Sequence, residues 1–186
     1  MSENLRNYTK AIYTMDAVVQ RVPDSVWEQQ SPCDEWSAKQ VLGHFVGATH
    51  SVAAAAMGEQ SPERKSEAET AGSDPKATWA ASRDALLAAL DHPGALGQDF
   101  HGPFGPGTVD SFLGIHAIDC LLHAWDIAKT AGIDAHLPAD IAAAGAAGLA
   151  SFGDAVRAPG IFGPAIEVDS DDPVTRLVAI AGRNPA

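Results

Sequence analysis

Basic residues are scarce in this chain: 12 Lys and Arg stand against 24 Asp and Glu, a formal net charge of −12. Phosphate contacts need a basic face, so the balance argues against nucleic acid and against docking on anionic membranes. The acidity serves solubility and enriches cations near the surface. Cysteine is almost missing as well. Cys33 and Cys120 are too few for a disulfide framework. Long hydrophobic runs are lacking, since the most apolar stretch, Ile141 to Ala150, is alanine-rich and too short to span a bilayer. The opening Met-Ser-Glu-Asn-Leu-Arg has no apolar core of a signal peptide. Gly-x-Ser-x-Gly elbows and glycine-rich phosphate loops are absent too, which withdraws support from those enzyme classes. A reducing cytoplasm is the expected home.

What remains is a chain of 186 residues, 46% hydrophobic, which suits a single domain over 1–186. Leu5, Tyr8, Ile12, Met15, Val19 and Val22 recur at steps of three and four, predicting a first amphipathic helix that Pro23 ends. Ser37 is placed to cap a second helix over about Ala38 to Met57, with Gly58 as its stop. The polar stretch 59–73 reads as an exposed loop. Asp74-Pro75 opens a third helix, whose apolar face is Trp79, Leu86, Leu87 and Leu90.

From His92 to Gly107, five glycines and three prolines predict an irregular loop. Thr108 caps a fourth helix that runs to Ala131 and stops at Gly132; an alanine-rich helix begins at Pro138. A mostly irregular tail follows from Phe152, with a helical turn near Val174 to Ala181. The expected fold is all-α: an antiparallel four-helix bundle with an additional short helix and a packed C-terminal tail.

The fourth helix carries the most informative pattern. His116, Asp119, His123 and Asp126 follow one another at steps of three, four and three, so a helix stacks them on one stripe. Ile115, Ile118, Leu121, Leu122 and Trp125 around them predict burial, where imidazoles and carboxylates are costly unless paired or metal-bound. Asp119 and His123, four residues apart, can grip one ion from a single helix. His44, mid-way along the second helix among Val41, Leu42, Phe45 and Val46, is the candidate third ligand.

Two imidazoles, a carboxylate and an open position make the composition of a catalytic zinc centre, and they also suit iron, nickel or manganese. Asp126 could orient an imidazole from behind, while His116 could be a ligand, a general base or a supporting group. The competing reading is a buried hydrogen-bond network without metal. His50 lies roughly 120° around the helix from His44 and should miss the centre. His92, His101 and His136 fall in loops. Cys120 points off the stripe, Cys33 sits in the loop before the second helix, and Trp36 and Trp125 read as core anchors.

Three segments together carry a family resemblance. They are Ser-Pro-Cys-Asp-Glu-Trp-Ser-Ala-Lys-Gln-Val-Leu-Gly-His from Ser31, His-Ala-Ile-Asp-Cys-Leu-Leu-His-Ala-Trp-Asp-Ile-Ala-Lys-Thr-Ala-Gly from His116, and the terminal Ala-Gly-Arg-Asn-Pro. The chain resembles the DinB-like metal-binding superfamily, in the actinobacterial branch related to the N-terminal domain of mycothiol-dependent maleylpyruvate isomerase.

The resemblance implies a four-helix bundle holding a divalent metal through His44, Asp119 and His123. It also implies a low-molecular-weight thiol, mycothiol or bacillithiol, as cosubstrate. Asp119 departs from the glutamate of the isomerase-like pattern and is a methylene shorter. The isomerase has a further C-terminal domain for which this chain has no room, so isomerisation of maleylpyruvate itself is not expected. The implied activity is metal-dependent S-transfer to, or isomerisation of, a small-molecule electrophile, with His116 as a base. A metal-dependent hydrolase and a non-catalytic metal- or ligand-binding bundle in a stress response are the alternatives. Homodimerisation is an expectation carried by the family alone.

Overall fold

Each long helix of the bundle starts at a side chain able to satisfy its first free backbone N–H groups. Ser2 accepts from the amide of Leu5 at the head of α1 (Glu3–Arg21), and Ser37 forms a reciprocal capping box with Gln40 at α2 (Ala38–Ala56). Between α2 and the next long helix lies the short α3 (Glu67–Ala71). Asp74 caps α4 (Pro75–Leu90), with proline in its first turn, and Thr108 boxes with Ser111 at α5 (Val109–Ala131). Gly132 closes α5 in the left-handed conformation that glycine adopts at little cost. The computed structural model describes residues 1–102, 105–153, 157 and 162–186.

The chain forms two compact units, residues 1–135 and 136–186. In the first, α1, α2, α4 and α5 pack around Tyr8, Ile12, Met15, Leu42, Phe45, Trp79, Leu86, Leu113, Leu121 and Ile127, all fully buried. The helices run up, down, down, up. Ser2 and Asn4 bond to Asp110, and Arg21 bonds to the carbonyl of Asp134, so α1 and α5 are parallel neighbours. Phe45 meets Trp79 and Thr49 meets Ser82, so α2 and α4 are parallel as well. The antiparallel relation holds between α1 and α4, where Asp16 receives Trp79 and Arg83, and between α2 and α5, where Cys33 just before α2 reaches Asp126 late in α5.

Parallel neighbours need a long crossover. The α2–α4 connection supplies it, and α3 lies flat on α2 at Gly43: a Cβ there would stand 1.8 Å from the carbonyl oxygen of Glu67.

Two segments read as loops carry regular structure. Ser66 and Glu69 form a capping box that starts α3 inside the polar stretch 59–73. Between α4 and α5, β1 (Asp99–Gly102) and β2 (Gly105–Thr108) pair antiparallel, Asp99 opposite Thr108 and Gly102 opposite Gly105. Every residue of β2 is exposed. Only β1 has an inward side, where half-buried Phe100 stacks on Phe112 of α5 with centroids 4.1 Å apart, too little to impose a two-residue hydrophobic period on the hairpin.

The second unit pairs α6 (Ala139–Phe152) with α7 (Pro173–Ile180), which Asp172 caps by accepting from Thr175. Gly163 and Gly182 touch backbone to backbone there, and Gly182 has φ +85°. Among the described residues no helix is long and apolar enough to cross a membrane.

Candidate metal centre

The stripe on α5 faces α2 at the level of His44. One donor atom from each of His44, Asp119 and His123 lies within 4.8 Å of the other two. Asp119 Oδ1 stands 3.4 Å from His123 Nε2, and Asp119 Oδ2 stands 3.9 Å from His116 Nε2. Its short side chain thus reaches both imidazoles of its own helix. On the far side of the His123 ring, Nδ1 lies 3.1 Å from Oδ2 of the fully buried Asp126. That contact fixes the ring and turns Nε2 toward Asp119 and His44.

The charges order themselves around this geometry. Burial opposes ionisation of Asp119, but the facing His123, with His116 and His44 beyond it, outweighs burial and holds the carboxyl well below the usual carboxylate range. Burial also opposes a charge on His123, and there Asp119, Asp126 and Cys33 prevail and hold the imidazole well above its ordinary value. His44 is pushed down to about 4, by burial first and then by the neighbouring His123. The site is therefore an anionic Asp119 facing the His123 imidazole, with a second, neutral imidazole, His44, alongside.

His116 sits apart from the triangle. Its ring is buried among Tyr8, Phe45 and Phe112, with centroid distances of 5.3, 5.0 and 5.0 Å, and neither ring nitrogen has a hydrogen-bond partner. Burial pushes it down to about 4. His50 lies outside the cluster, on an exposed face of α2, and His92, His101 and His136 are exposed.

Trp36 and Trp125 are half-buried rather than core anchors. Trp36 lies on the His44 ring, centroids 4.6 Å apart, and Lys129 covers Trp125 at 5.7 Å. The sequence signal for Trp36 was its place one residue before the α2 cap, where the loop must turn back over the first turns of the helix. Cys120 is buried, and burial first, then Asp119, pushes its thiol well up.

A cavity of about 510 Å³ opens beside the triangle, between α2 and residues 61–70. His44 forms part of its wall together with Gly43, Gly47, Ala48 and Ser51 of α2. The small α2 residues leave it room, while Arg64, Lys65 and Thr70 bring polar groups to it.

Comparison with known proteins gives this geometry a context. A family model, mycothiol maleylpyruvate isomerase N-terminal domain, matches residues 8–128. Two uncharacterized proteins from strains of Mycobacterium tuberculosis are each 32% identical to the chain over 133 residues, 70% of this chain and 69% of theirs. The crystal structure of the mycothiol-dependent maleylpyruvate isomerase has a similar fold, with a TM-score of 0.57 over 79% of this chain and 68% of that one at 16% identity.

Proposed function

The chain belongs to the mycothiol maleylpyruvate isomerase N-terminal domain family, and from that premise we propose a metal-dependent enzyme that uses a low-molecular-weight thiol of the mycothiol class to transfer sulfur to, or isomerise, a small electrophile. The observation that carries the proposal is the triangle of His44, Asp119 and His123 donors, of which His44 also forms part of a cavity wall.

The donors suit a divalent ion. Zinc bonds of about 2.0–2.2 Å put tetrahedral ligand atoms roughly 3.3–3.6 Å apart, and Asp119 Oδ1 and His123 Nε2 are 3.4 Å apart. Two imidazoles and one carboxylate leave a position for substrate, as catalytic zinc sites do, and nickel, iron or manganese share this ligand preference. When bound, the ion supplies a strong lowering of the pKa of a thiol or water beside it.

The protein's own residues do the rest. Asp126 holds the His123 ring so that Nε2 faces the ion position. Trp36 braces His44 from the side. His116 faces Asp119 Oδ2, and its ring cage keeps it from the cavity, so its contribution passes through the carboxylate. The cavity beside His44 receives the thiol and the electrophile.

A direct test follows consumption of chlorodinitrobenzene by the zinc-loaded protein with mycothiol, with cysteine and without thiol. The expected result is a mycothiol-dependent rate that His123→Ala removes. Retained zinc with no turnover across thiols and simple esters would favour a non-catalytic binding bundle instead.

A further inference from the structure

The loop from Ser31 to Trp36 touches both histidines of the triangle, and the function just proposed gives no role to its thiol. Cys33 Sγ donates to Asp126 Oδ2 at 3.2 Å. The same oxygen lies 3.1 Å from His123 Nδ1. Cys33 Sγ, Asp126 and His123 thus form a second close cluster, within 4.8 Å of one another, on the side of the imidazole away from Asp119. We infer that Cys33 is a positioning residue: its thiol fixes the Asp126 carboxylate, which fixes the ring angle and tautomer of His123. The inference rests on the metal assignment above for its consequence, but not for the hydrogen-bond chain itself.

Two features make this more than proximity. Asp126 is fully buried, and a buried carboxylate oxygen is costly without donors. With Cys33 and His123 converging on Oδ2, the carboxylate is held from two directions, and its orientation passes to His123. Moreover, the loop does not depend on the thiol for its shape. The Cys33 amide donates to Ser31 Oγ at 3.1 Å, and its carbonyl accepts from the Trp36 amide at 2.9 Å and from Gln30 Nε2 at 3.0 Å. Gln30 Nε2 also reaches the carbonyls of Ser31, Asp34 and Trp36, lacing the turn from inside. Backbone bonds thus deliver the Cys33 side chain to Asp126, so removing the sulfur removes the contact and leaves the loop. The same laced turn sets Trp36 on His44. One loop therefore fixes the two histidines from behind, each through a different contact.

The test compares wild type, Cys33→Ala and Cys33→Ser in the full chain. In metal-free protein, nitrogen-15 NMR reads the His123 Nδ1–H signal. Chelator competition reads zinc affinity, and cobalt(II) loading reads what the sulfur touches. Cys33→Ala is expected to shift the Nδ1–H signal upfield and to weaken zinc retention about tenfold, the scale of lost supporting hydrogen bonds, with unchanged helix content. Cys33→Ser, which keeps a donor, should restore both.

An unchanged signal in Cys33→Ala overturns the inference, as does a serine variant as impaired as the alanine one. A sulfur-to-cobalt charge-transfer band in wild type also overturns it, since it would place the thiol on the ion. If wild type binds no zinc while the Nδ1–H signal still depends on Cys33, the metal reading fails and the positioning role stands.

Discussion

At the scale of single residues, the site is a competition between burial and pairing. Buried and half-buried carboxylates and imidazoles are costly without partners, and Asp119, His123 and Asp126 supply one another's. Each histidine of the triangle should be indispensable to metal without being indispensable to the fold. His44→Ala or His123→Ala is expected to abolish zinc binding with little loss of helical circular dichroism; full stoichiometry in either variant would remove that residue from the ligand set. Asp126→Asn should weaken retention about tenfold or more, and an unchanged dissociation constant would leave Asp126 with a packing role alone.

His116 gives the opposite expectation. Its ring nitrogens are buried without hydrogen-bond partners inside an aromatic cage, and an unsatisfied buried polar group costs about 1–3 kcal/mol. His116→Phe should therefore leave stability unchanged or raise it, as urea unfolding would show, while zinc affinity falls through loss of the group facing Asp119. A clear loss of stability would mean that His116 has a polar partner in solution.

At the scale of elements, what the sequence reveals depends on whether the forces are local. Capping and periodicity act over a few residues, so the bounds of α1, α2, α4 and α5 and the step pattern on α5 are readable directly. The capping box of α3, Ser66 with Glu69, was equally local but lay inside a polar stretch with no apolar periodicity to draw attention to it. The hairpin leaves little hydrophobic signature, because β2 is exposed along its length and Phe100 is the one large apolar residue of β1.

Contacts between elements are beyond a linear reading. Nothing near Gly43 in the sequence announces that Glu67 will press its carbonyl against it. Gly43→Ala forces α3 off α2, since the obstruction is backbone and cannot rotate away. Overpacking of this kind costs about 1–3 kcal/mol, visible in urea unfolding. Because residues 61–70 wall the cavity beside His44, the variant should also raise KM for the thiol more than it lowers zinc affinity. Equal stability to wild type would show that α3 packs elsewhere.

At the scale of the whole molecule, the first unit, residues 1–135, contains His44, Asp119, His123, Asp126 and Cys33, and the family match over 8–128 covers all of them. The four long helices were legible, but their up-down-down-up order was not, because it depends on where a long crossover lies rather than on any helix's own residues. The order has a consequence for the site. Placing α2 antiparallel to α5 sets the turn before α2 against the later part of α5, which is how Cys33 meets Asp126 and Trp36 comes near His123. The surplus of acidic residues, which argued against nucleic acid, is compatible with a centre that attracts a cation.

The most direct test of the central claim is elemental mass spectrometry of the protein purified without chelator and reconstituted with zinc, beside His123→Ala. About one equivalent of transition metal per chain is expected, lost in the variant. No metal after reconstitution, or the same content in the variant, would contradict it and leave His44, Asp119 and His123 as a hydrogen-bonded core.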